Sequence, residues 1–362
     1  MKRNLLFFFL ISSFTVFSQT ASGDLEAYLT NYIDNIPGDS GDNYTDPTNS
    51  ELTTWETVIN NILSENIATA RTNADGLNYQ IVEYTDTAIG NGDIFYVLEE
   101  KSPTTHYWGT FVFSKTTNRG NLILQAPHSK FDFNTGKQAV YCFVRLNNKA
   151  LFLNGTHRCN NATESSCSGT TSVCTGSSDP FKISDVAHNS VSIWQKTTEV
   201  LKNTIAGSVF VQLHGFSKQA SDPYVILSNG TDLTPSSDNI VELKTQLSAQ
   251  DNSLTFKIAH IDNWTRLVGF TNTQGRLINE SANPCNNSAS TTEGRFIHIE
   301  QEKSKLRQDS SGWEKMHQAL AHTFPKILSV KEQVKVMFKT KNPFTNSISF
   351  TTDNMKSYTI FN

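Results

Sequence analysis

Beyond its first residues, the sequence lacks any apolar stretch long enough to cross a membrane. The one strongly apolar run, Leu5 to Phe17, is shorter than the roughly 20 residues that a transmembrane helix needs. Lys2 and Arg3 precede this run and Ser18-Gln19 follow it, a pattern typical of a cleaved export signal rather than of a membrane anchor. We therefore predict a signal peptide at residues 1–18, a secreted or periplasmic protein, and no membrane span.

The sequence also lacks an excess of positive charge. It contains 30 lysine and arginine residues against 34 aspartate and glutamate residues, which gives a formal net charge of −4. Nucleic-acid binding depends on clustered basic side chains that neutralise phosphates, so this balance argues against a nucleic-acid partner. Internal repeats and long linkers are absent as well, and the length suits one large α/β domain or two smaller ones.

Cysteines are few, and most of them lie close together. Of the five, Cys159, Cys167 and Cys174 share a loop rich in Ser, Thr, Asn and Gly, and Cys285 comes much later. Such a loop has little apolar content to order it, so we predict that disulfides hold it in the exported protein. A zinc cluster is the alternative, but the spacings match no common zinc finger. Cys142 lies in the apolar segment AVYCFV and is predicted to be a buried free thiol.

The pattern of apolar residues predicts an α/β fold. Two amphipathic helices lie in residues 19–75, and strands then alternate with helices along most of the chain. We predict a three-layer α/β/α sandwich around a mixed, mostly parallel sheet, of the phosphorylase/hydrolase-like type. The segments HYWGTFVFS and LILQAP, joined by KTTNRGN, are predicted to pair as a hairpin. Residues 76–362 would form the α/β domain, with a disulfide-bearing loop at 159–180.

Polar side chains follow four of the predicted strands. LILQA ends at His128, ALFLNG ends at the pair His157 and Arg158, VFVQL ends at His214, and FIHI ends at Glu300. Ligands of open α/β sheets bind outside the carboxyl ends of the strands. We therefore expect these side chains to converge on one functional site at one edge of the sheet.

The residue types favour a metal site. Two histidines and one carboxylate hold zinc and leave a fourth position open. His128 and His214 are the predicted histidine ligands and Asp132 the predicted third ligand, although an Asx-turn role for Asp132 stays open. Glu300 follows apolar residues and is the predicted general base; the alternative is a solvated residue at the start of a charged run.

Further residues are candidates for substrate binding or for supporting the site. Arg158, beside His157, is placed to clamp a carboxylate, and Arg307 is placed to pair with an acid or a substrate. Asp185 is either an N-cap of the following helix or a functional group, with His188 in the first turn of that helix. His298 points to the same sheet face as Glu300 and is a reserve candidate.

Three motifs carry a resemblance to a known family. A strand ending in APHS, a later strand ending in LHGF and the late segment HIEQEKSKLR resemble the zinc-dependent N-formylglutamate amidohydrolase and poly-γ-glutamate hydrolase group, which is related to the zinc carboxypeptidases. The resemblance covers roughly residues 105–325. It implies one zinc ion, with His128 and His214 as its histidine ligands and Glu300 as the general base. The carboxypeptidase pattern has its acidic ligand where this chain has Phe131, one position before Asp132.

Three functions compete at this point. The first is a secreted zinc-dependent hydrolase that cleaves an amide or peptide bond near a carboxylate, in a small peptide, an N-acyl amino acid or a polyglutamate-like substrate. The second is a metal-dependent phosphoesterase, which favours more carboxylate ligands and a second metal, so that Asp185 and His188 would have to be ligands. The third is a non-catalytic secreted module that binds carbohydrate or another ligand, although core packing is the simpler account of most tryptophans.

Overall fold

The computed structural model describes residues 19–327, 347–351 and 357–361. The predicted signal peptide lies outside the described residues. The helices are α1 (Leu25–Asn35), α2 (Asn49–Leu63), α3 (Ile67–Asp75), α4 (Thr135–Leu146), α5 (Ile193–Thr204), α6 (Asn239–Gln250), α7 (Ala259–Asp262), α8 (Thr273–Ile278) and α9 (Ser310–Thr323), with a π-helical turn at Lys303–Arg307. The strands are β1 (Thr20–Gly23), β2 (Tyr79–Asp86), β3 (Ile94–Glu100), β4 (Thr110–Ser114), β5 (Arg119–Ala126), β6 (Asn148–Leu153), β7 (Thr170–Thr171), β8 (Asp179–Pro180), β9 (Val209–Phe216), β10 (Val225–Ser228), β11 (Phe256–Ile258), β12 (Phe296–Glu302), β13 (Ser347–Thr351) and β14 (Ser357–Phe361). Among the described residues, no helix combines the length and the apolar character that a membrane span requires.

A ten-stranded sheet forms the centre of the fold, in the order β1-β2-β3-β4-β6-β5-β9-β12-β10-β11. Five of its nine pairings are parallel, and the antiparallel ones join β2, β3, β4 and β6 in series and β12 to β10. The sheet is therefore mixed and mostly parallel, as predicted. The strands β6, β5, β9 and β12 are consecutive parallel neighbours, so their carboxyl ends lie at one edge.

Helices cover both faces of this sheet and complete the three predicted layers. One core cluster joins α1, α4, α6 and α9 to residues such as Leu124, Val211 and Ile299 of the central strands. The other cluster joins α2, α3, α5 and α8 to Phe210 and Phe296 on the opposite face. Because successive strand residues point to opposite faces, each central strand supplies apolar side chains to both clusters.

The predicted hairpin between β4 and β5 is wrong. The strand β6 lies between them, antiparallel to β4 and parallel to β5. The segment between β4 and β5 does form a turn, but this turn is hydrogen-bonded to the start of β6 and does not pair the two strands with each other. Ser114 Oγ donates a hydrogen bond to the carbonyl of Asn148 over 2.6 Å, and Thr117 Oγ1 donates to the carbonyl of Asn147. The buried run at 148–153 takes the central place because both of its faces are apolar.

Helix α4 was not predicted from the sequence, and its composition explains why. Nine of its twelve residues are buried, and Lys137, Tyr141 and Arg145 form only a narrow partly exposed stripe. The short apolar run AVYCFV does not by itself distinguish a buried helix from a strand. It also begins after Asn134 in the left-handed conformation, without a side-chain cap. This contrasts with α2, where Thr48 and Glu51 form a complete capping box. Helix α4 follows the loop that carries His128 and Asp132, and so it anchors that loop.

Two disulfides hold the cysteine-rich loop, as predicted. Cys159 pairs with Cys174 within the loop, and Cys167 pairs with Cys285, 118 positions later. Cys142 is free and buried in α4, again as predicted. The second disulfide ties the loop to the segment after α8, and both segments lie on the side of the sheet that faces α5 and α8.

A second compact unit spans Lys326–Asn362. Its described part is an antiparallel pair, β13 with β14. The terminal segment KSYTIFN was predicted to contain a strand, and β14 lies in it.

Truncation of Trp55 is expected to destabilise the first unit strongly. This side chain projects from α2 toward the sheet and is fully buried, and its indole N–H donates to Thr197 Oγ1 over 2.8 Å. We expect Trp55→Ala to lower the free energy of unfolding by about 3–5 kcal/mol, as core Trp truncations do. Denaturant unfolding with Thr53→Ala, an exposed position on the same helix, as control would measure this. A loss below about 1 kcal/mol, the size of an ordinary substitution, would contradict the packing described here.

Candidate metal centre

Three neighbouring strands bring the central residues together. His128 lies in the turn directly after β5, His214 lies on β9, and Glu300 lies on β12 in register with His214. The rings of His128 and His214 have centroids 5.0 Å apart. All three side chains are buried, on the face of the sheet that α5 and α8 cover. The convergence expected from the strand ends is therefore present in the fold.

His128 lies between two carboxylates. Its Nδ1 is 3.1 Å from Asp132 Oδ2, and its Nε2 is 3.0 Å from Asp185 Oδ1. Asp132 reaches the ring because its backbone N–H donates to the carbonyl of His128, which makes one tight turn between the two residues. A carboxylate only accepts hydrogen bonds, so Asp185 holds a proton on Nε2 and leaves Nδ1 as the atom that faces the centre.

A buried network of amides orients His214. Its Nε2 is 3.1 Å from Gln212 Oε1, and Gln212 Nε2 donates to Gln274 Oε1 over 3.0 Å. Gln274 in turn donates to the carbonyl of Val186 over 2.9 Å, and this contact fixes which end of its amide is the acceptor. The chain of donors and acceptors places the proton of His214 on Nε2. Its Nδ1 then carries a lone pair and lies 3.6 Å from Asp132 Oδ2.

The Asp132 carboxylate joins these parts. Besides the two histidines, its Oδ2 accepts a hydrogen bond from the backbone N–H of Gly215 over 3.1 Å, and its Oδ1 accepts from Arg158 Nη2. Gly215 has no room for a side chain, because a Cβ there would lie 2.3 Å from Arg307 Cζ. Arg307 spans this gap and donates to backbone carbonyls of Phe133 and Gln301, over 2.7 and 3.0 Å.

The donor set of His128, Asp132 and His214 fits a zinc ion. One ligand atom from each residue lies within 4.8 Å of the others, and all three residues are buried. Ligand atoms around a tetrahedral zinc lie about 3.4 Å apart, given bonds of about 2.1 Å. The separations of 3.1 and 3.6 Å between the histidine Nδ1 atoms and Asp132 Oδ2 match this value. Asp185 and Gln212 hold the outer nitrogens, as second partners of metal-binding histidines commonly do.

Glu300 and His298 lie beside this donor set with polar atoms that are not satisfied. The two residues are 7% and 4% exposed, and within the part of the chain that the structure describes, Glu300 Oε2 and His298 Nδ1 have no hydrogen-bond partner. A buried polar atom without a partner costs about 1–3 kcal/mol, and a bound molecule is one way to satisfy it. With His214, these two residues form a second group whose ligand atoms lie within 4.8 Å of one another.

The surroundings of the centre shift the pKa values of its titratable groups in different directions. Burial and the nearby charge of Asp132 raise the pKa of Glu300 to about 8. Burial lowers the pKa of His214 to about 4, so that ring is neutral and ready to bind a cation. Burial and Arg158 act against the charged form of His128, but Asp132 and Asp185 outweigh them and raise its pKa. Metal-free His128 therefore keeps its proton to a higher pH than an ordinary histidine does.

Of the three predicted substrate-binding residues, one lies at the centre and two do not. Arg158 lies at the centre through its contact with Asp132, whereas His157 turns away and packs against the ring of Phe131 at 4.3 Å. Arg307 donates only to backbone carbonyls, so we give it a role in holding the loop and not the substrate-binding role expected from the sequence.

Of the two roles left open for Asp185, the helix N-cap is wrong. Helix α5 begins at Ile193 with Ser192 as its N-cap, so Asp185 and His188 both precede it in a turn segment. His188 stacks on Phe181 with ring centroids 3.6 Å apart, and its Nδ1 is 3.1 Å from the carbonyl of Thr271. Since that carbonyl only accepts, Nδ1 carries the proton and Nε2 is an acceptor.

A cavity of about 380 Å³ opens onto the centre. His128, Arg158, His188, His214, His298 and Glu300 all line it. The cavity is large enough for a small ligand, since such sites begin at about 300 Å³. Its other walls come from the disulfide-bearing loop and from residues 265–271.

Sequence reasoning missed the glutamine network and the role of Gly215. Gln125 and Gln212 each interrupt an apolar strand, which is a readable signal of a buried polar contact. The partner of each amide, however, comes from a distant segment: Gln125 donates to Thr198 on α5, and Gln212 to Gln274 on α8.

Comparison with known proteins gives similarity in three dimensions alone. No protein-family model matches the chain, and no curated protein matches it by sequence. Among solved structures, the N-formylglutamate amidohydrolase from Ralstonia eutropha JMP134 is similar at 10% identity and a TM-score of 0.39, covering 65% of this chain and 100% of the other. A protein assigned as a metallopeptidase from Shewanella baltica OS155 is similar at 12% identity and a TM-score of 0.33, covering 60% and 80%. A protein assigned as a carboxypeptidase A from Shewanella denitrificans OS-217 has 12% identity and a TM-score of 0.35, covering 72% and 69%. These are the groups that the sequence motifs resemble; the function proposed below rests on the residues of the centre.

Proposed function

We propose that the protein is a zinc-dependent hydrolase that cleaves an amide or peptide bond near a carboxylate. The observation that carries this proposal is the set of three buried donor atoms, on His128, Asp132 and His214, beside an unpartnered Glu300 carboxyl in one cavity. Neutral imidazoles and a carboxylate in tetrahedral spacing suit zinc better than harder cations, which prefer oxygen ligands alone.

Each side chain of the centre has a distinct part in this reaction. A bound zinc ion is a Lewis acid that polarises a carbonyl and lowers the pKa of water. Glu300 would accept the proton of the attacking water on its free Oε2 and then deliver it to the leaving nitrogen. Arg158 would orient a substrate carboxylate with the donors that Asp132 does not use, among them an Nε that has no partner among the described residues.

The two disulfides support export to an oxidising compartment. Structural disulfides persist outside the cytosol and are rare inside it. Together with the signal-like first residues, the pairs Cys159–Cys174 and Cys167–Cys285 support a secreted or periplasmic enzyme.

The residues favour this function over the two alternatives. A phosphoesterase with a second metal would need Asp185 and His188 as ligands, but Asp185 holds the outer nitrogen of His128. Among the described residues, neither Asp185 nor His188 belongs to a group of three or more residues whose ligand atoms lie within 4.8 Å of one another. A carbohydrate-binding module would present tryptophans to solvent, but Trp55, Trp108 and Trp194 are fully buried and Trp264 and Trp313 are partly buried. The protein is accordingly expected to bind one zinc ion.

Loss of His214 is expected to remove the metal. We expect wild-type protein to contain about one zinc ion per chain and His214→Ala to contain almost none, because two remaining ligands hold zinc poorly. Elemental analysis of the purified proteins measures this, with His322→Ala, an exposed histidine on α9, as the matched control. Unchanged zinc content in His214→Ala would remove this residue from the centre.

Glu300→Gln is expected to separate chemistry from metal binding. The amide keeps the size of the side chain but cannot accept a proton, so amide hydrolysis is expected to fall by at least about 100-fold, the lower range for general acid–base catalysis. Zinc content is expected to stay near that of the wild type. Glu302→Gln, two residues later on β12, is the control for loss of a carboxylate. Full activity in Glu300→Gln would show that another group moves the proton.

Zinc affinity is expected to increase with pH through the raised pKa of His128. Below that pKa the ring is protonated between Asp132 and Asp185, and zinc must displace the proton; above it the ring is neutral and the competition ends. The rise should therefore continue above pH 6.5, the ordinary value for histidine. Competition titration with a chromophoric chelator across neutral pH measures it. An affinity that levels off below pH 6.5 would contradict the predicted state of His128.

A further inference from the structure

The cavity wall away from the metal centre is largely apolar. Five of its residues have apolar side chains, and they come from the disulfide-bearing loop, from the segment before α5 and from the loop before α8: Val173, Phe181, Leu267, Val268 and Phe270. The polar residues on these walls are threonines, which carry no charge: Thr170, Thr171, Thr265 and Thr271.

The cavity contains little positive charge with which to bind anionic groups. Among the described residues that line it, Arg158 is the one lysine or arginine, and it already pairs with the Asp132 carboxylate. Its remaining donors suffice for a single substrate carboxylate. A second carboxylate, such as that of a glutamate side chain, would enter an apolar wall with no cation to pair with, and burying an unpaired charge is costly.

Contacts within the protein fix the conformation of the loop before α8, which forms part of the cavity wall. Leu267 has a φ of 57°, a left-handed conformation that aliphatic residues rarely adopt. Neighbouring contacts enforce it: Trp264 Nε1 donates to the carbonyl of Arg266 over 2.8 Å, and Arg266 forms an ion pair with Asp222 at 2.8 Å. Such strain persists where the surroundings determine the backbone, and it clusters at ligand sites.

Disulfides fix a second part of the cavity wall. Thr170, Thr171 and Val173 lie within the loop that Cys159–Cys174 and Cys167–Cys285 fasten. Val173 is 57% exposed, so an apolar side chain stands at the cavity mouth. Two fixed apolar walls from different parts of the chain therefore face the centre, and a fixed apolar site binds an apolar group at a lower entropic cost.

We propose that the cavity selects a substrate with an aliphatic or aromatic side chain and a single carboxylate next to the cleaved amide bond. The side chain packs against Val173, Phe181 and Leu267, and Arg158 binds the carboxylate. This inference rests on the proposed amide hydrolysis and narrows it: N-acylated or peptide-linked leucine or phenylalanine is preferred, and glutamate-type or polyglutamate substrates are disfavoured.

A substrate series tests the selectivity. The zinc-loaded protein is given N-acetyl derivatives of leucine, phenylalanine, glutamine and glutamate, in which only the side chain differs. We expect kcat/KM for leucine and phenylalanine to exceed that for glutamate by at least about tenfold, the lower range for a group fitted to an apolar pocket. Glutamine, which matches glutamate in size without its charge, is expected to fall between them.

Binding to the metal-free protein gives a readout that does not depend on turnover. Calorimetry with N-acetyl-leucine and N-acetyl-glutamate should show tighter binding of the leucine compound. Leu267→Asn should reduce that preference several-fold, because asparagine accepts the left-handed backbone while removing the apolar contact. Leu233→Asn, an exposed leucine that is not among the residues lining the cavity, is the matched control.

The outcomes separate the two proposals. Equal or better hydrolysis and binding of the glutamate compound would overturn the apolar selectivity and leave amide hydrolysis standing. Hydrolysis of none of the four compounds by protein that holds zinc would count against the proposed function, and with it against this inference. A leucine preference that survives in Leu267→Asn would overturn the role of that wall.

Discussion

The Asp132 carboxylate is the interaction on which the centre depends. One of its oxygens faces both histidine Nδ1 atoms and accepts from the Gly215 N–H, while the other accepts from Arg158. These contacts join the ends of β5 and β9 and the loop after β6 through one side chain. The carboxylate stays ionised despite its burial, because Arg158 and His128 hold its pKa well below the usual range. Its charge also helps to raise the pKa of Glu300 to about 8, so the same group prepares a ligand set and increases the proton affinity of the carboxylate beside it.

A shell of polar contacts around the centre decides which atoms face a metal. Asp185 fixes the outer nitrogen of His128, and Gln212 fixes that of His214. Losing such partners commonly lowers metal affinity by about 10–100-fold, although they never touch the ion. Most of these buried polar groups have a partner, which offsets the cost of burying them. Among the described residues of the centre, the exceptions are Glu300 Oε2, His298 Nδ1 and Arg158 Nε, and they lie where chemistry is expected.

Much of this arrangement follows from patterns along the chain. His128, His214 and Glu300 each come at or near the end of a buried strand, and that position alone predicts a shared edge once the strands are parallel. The free Cys142 and the disulfides of the loop followed from local composition. The hairpin between β4 and β5 failed because a turn signal is local, whereas strand pairing depends on which apolar run buries both of its faces. Helix α4 was not predicted because a short apolar run such as AVYCFV does not by itself distinguish a buried helix from a strand.

By itself, the sequence determined the alternation of strands and helices, the residue types at the strand ends and the cysteines available for disulfides, since these depend on neighbours along the chain. The tertiary structure alone decided that β6 separates β4 from β5, that Asp185 supports His128 instead of capping a helix, and that Arg307 holds a loop. It also decided the state of each histidine, because a proton stays on whichever ring nitrogen meets an acceptor. For His128 and His188 those acceptors are distant in sequence, Asp185 at 57 positions and the carbonyl of Thr271 at 83, so only the folded chain brings them into contact. The acceptor for His214, Gln212, is two positions away, but Gln274 of α8 orients its amide.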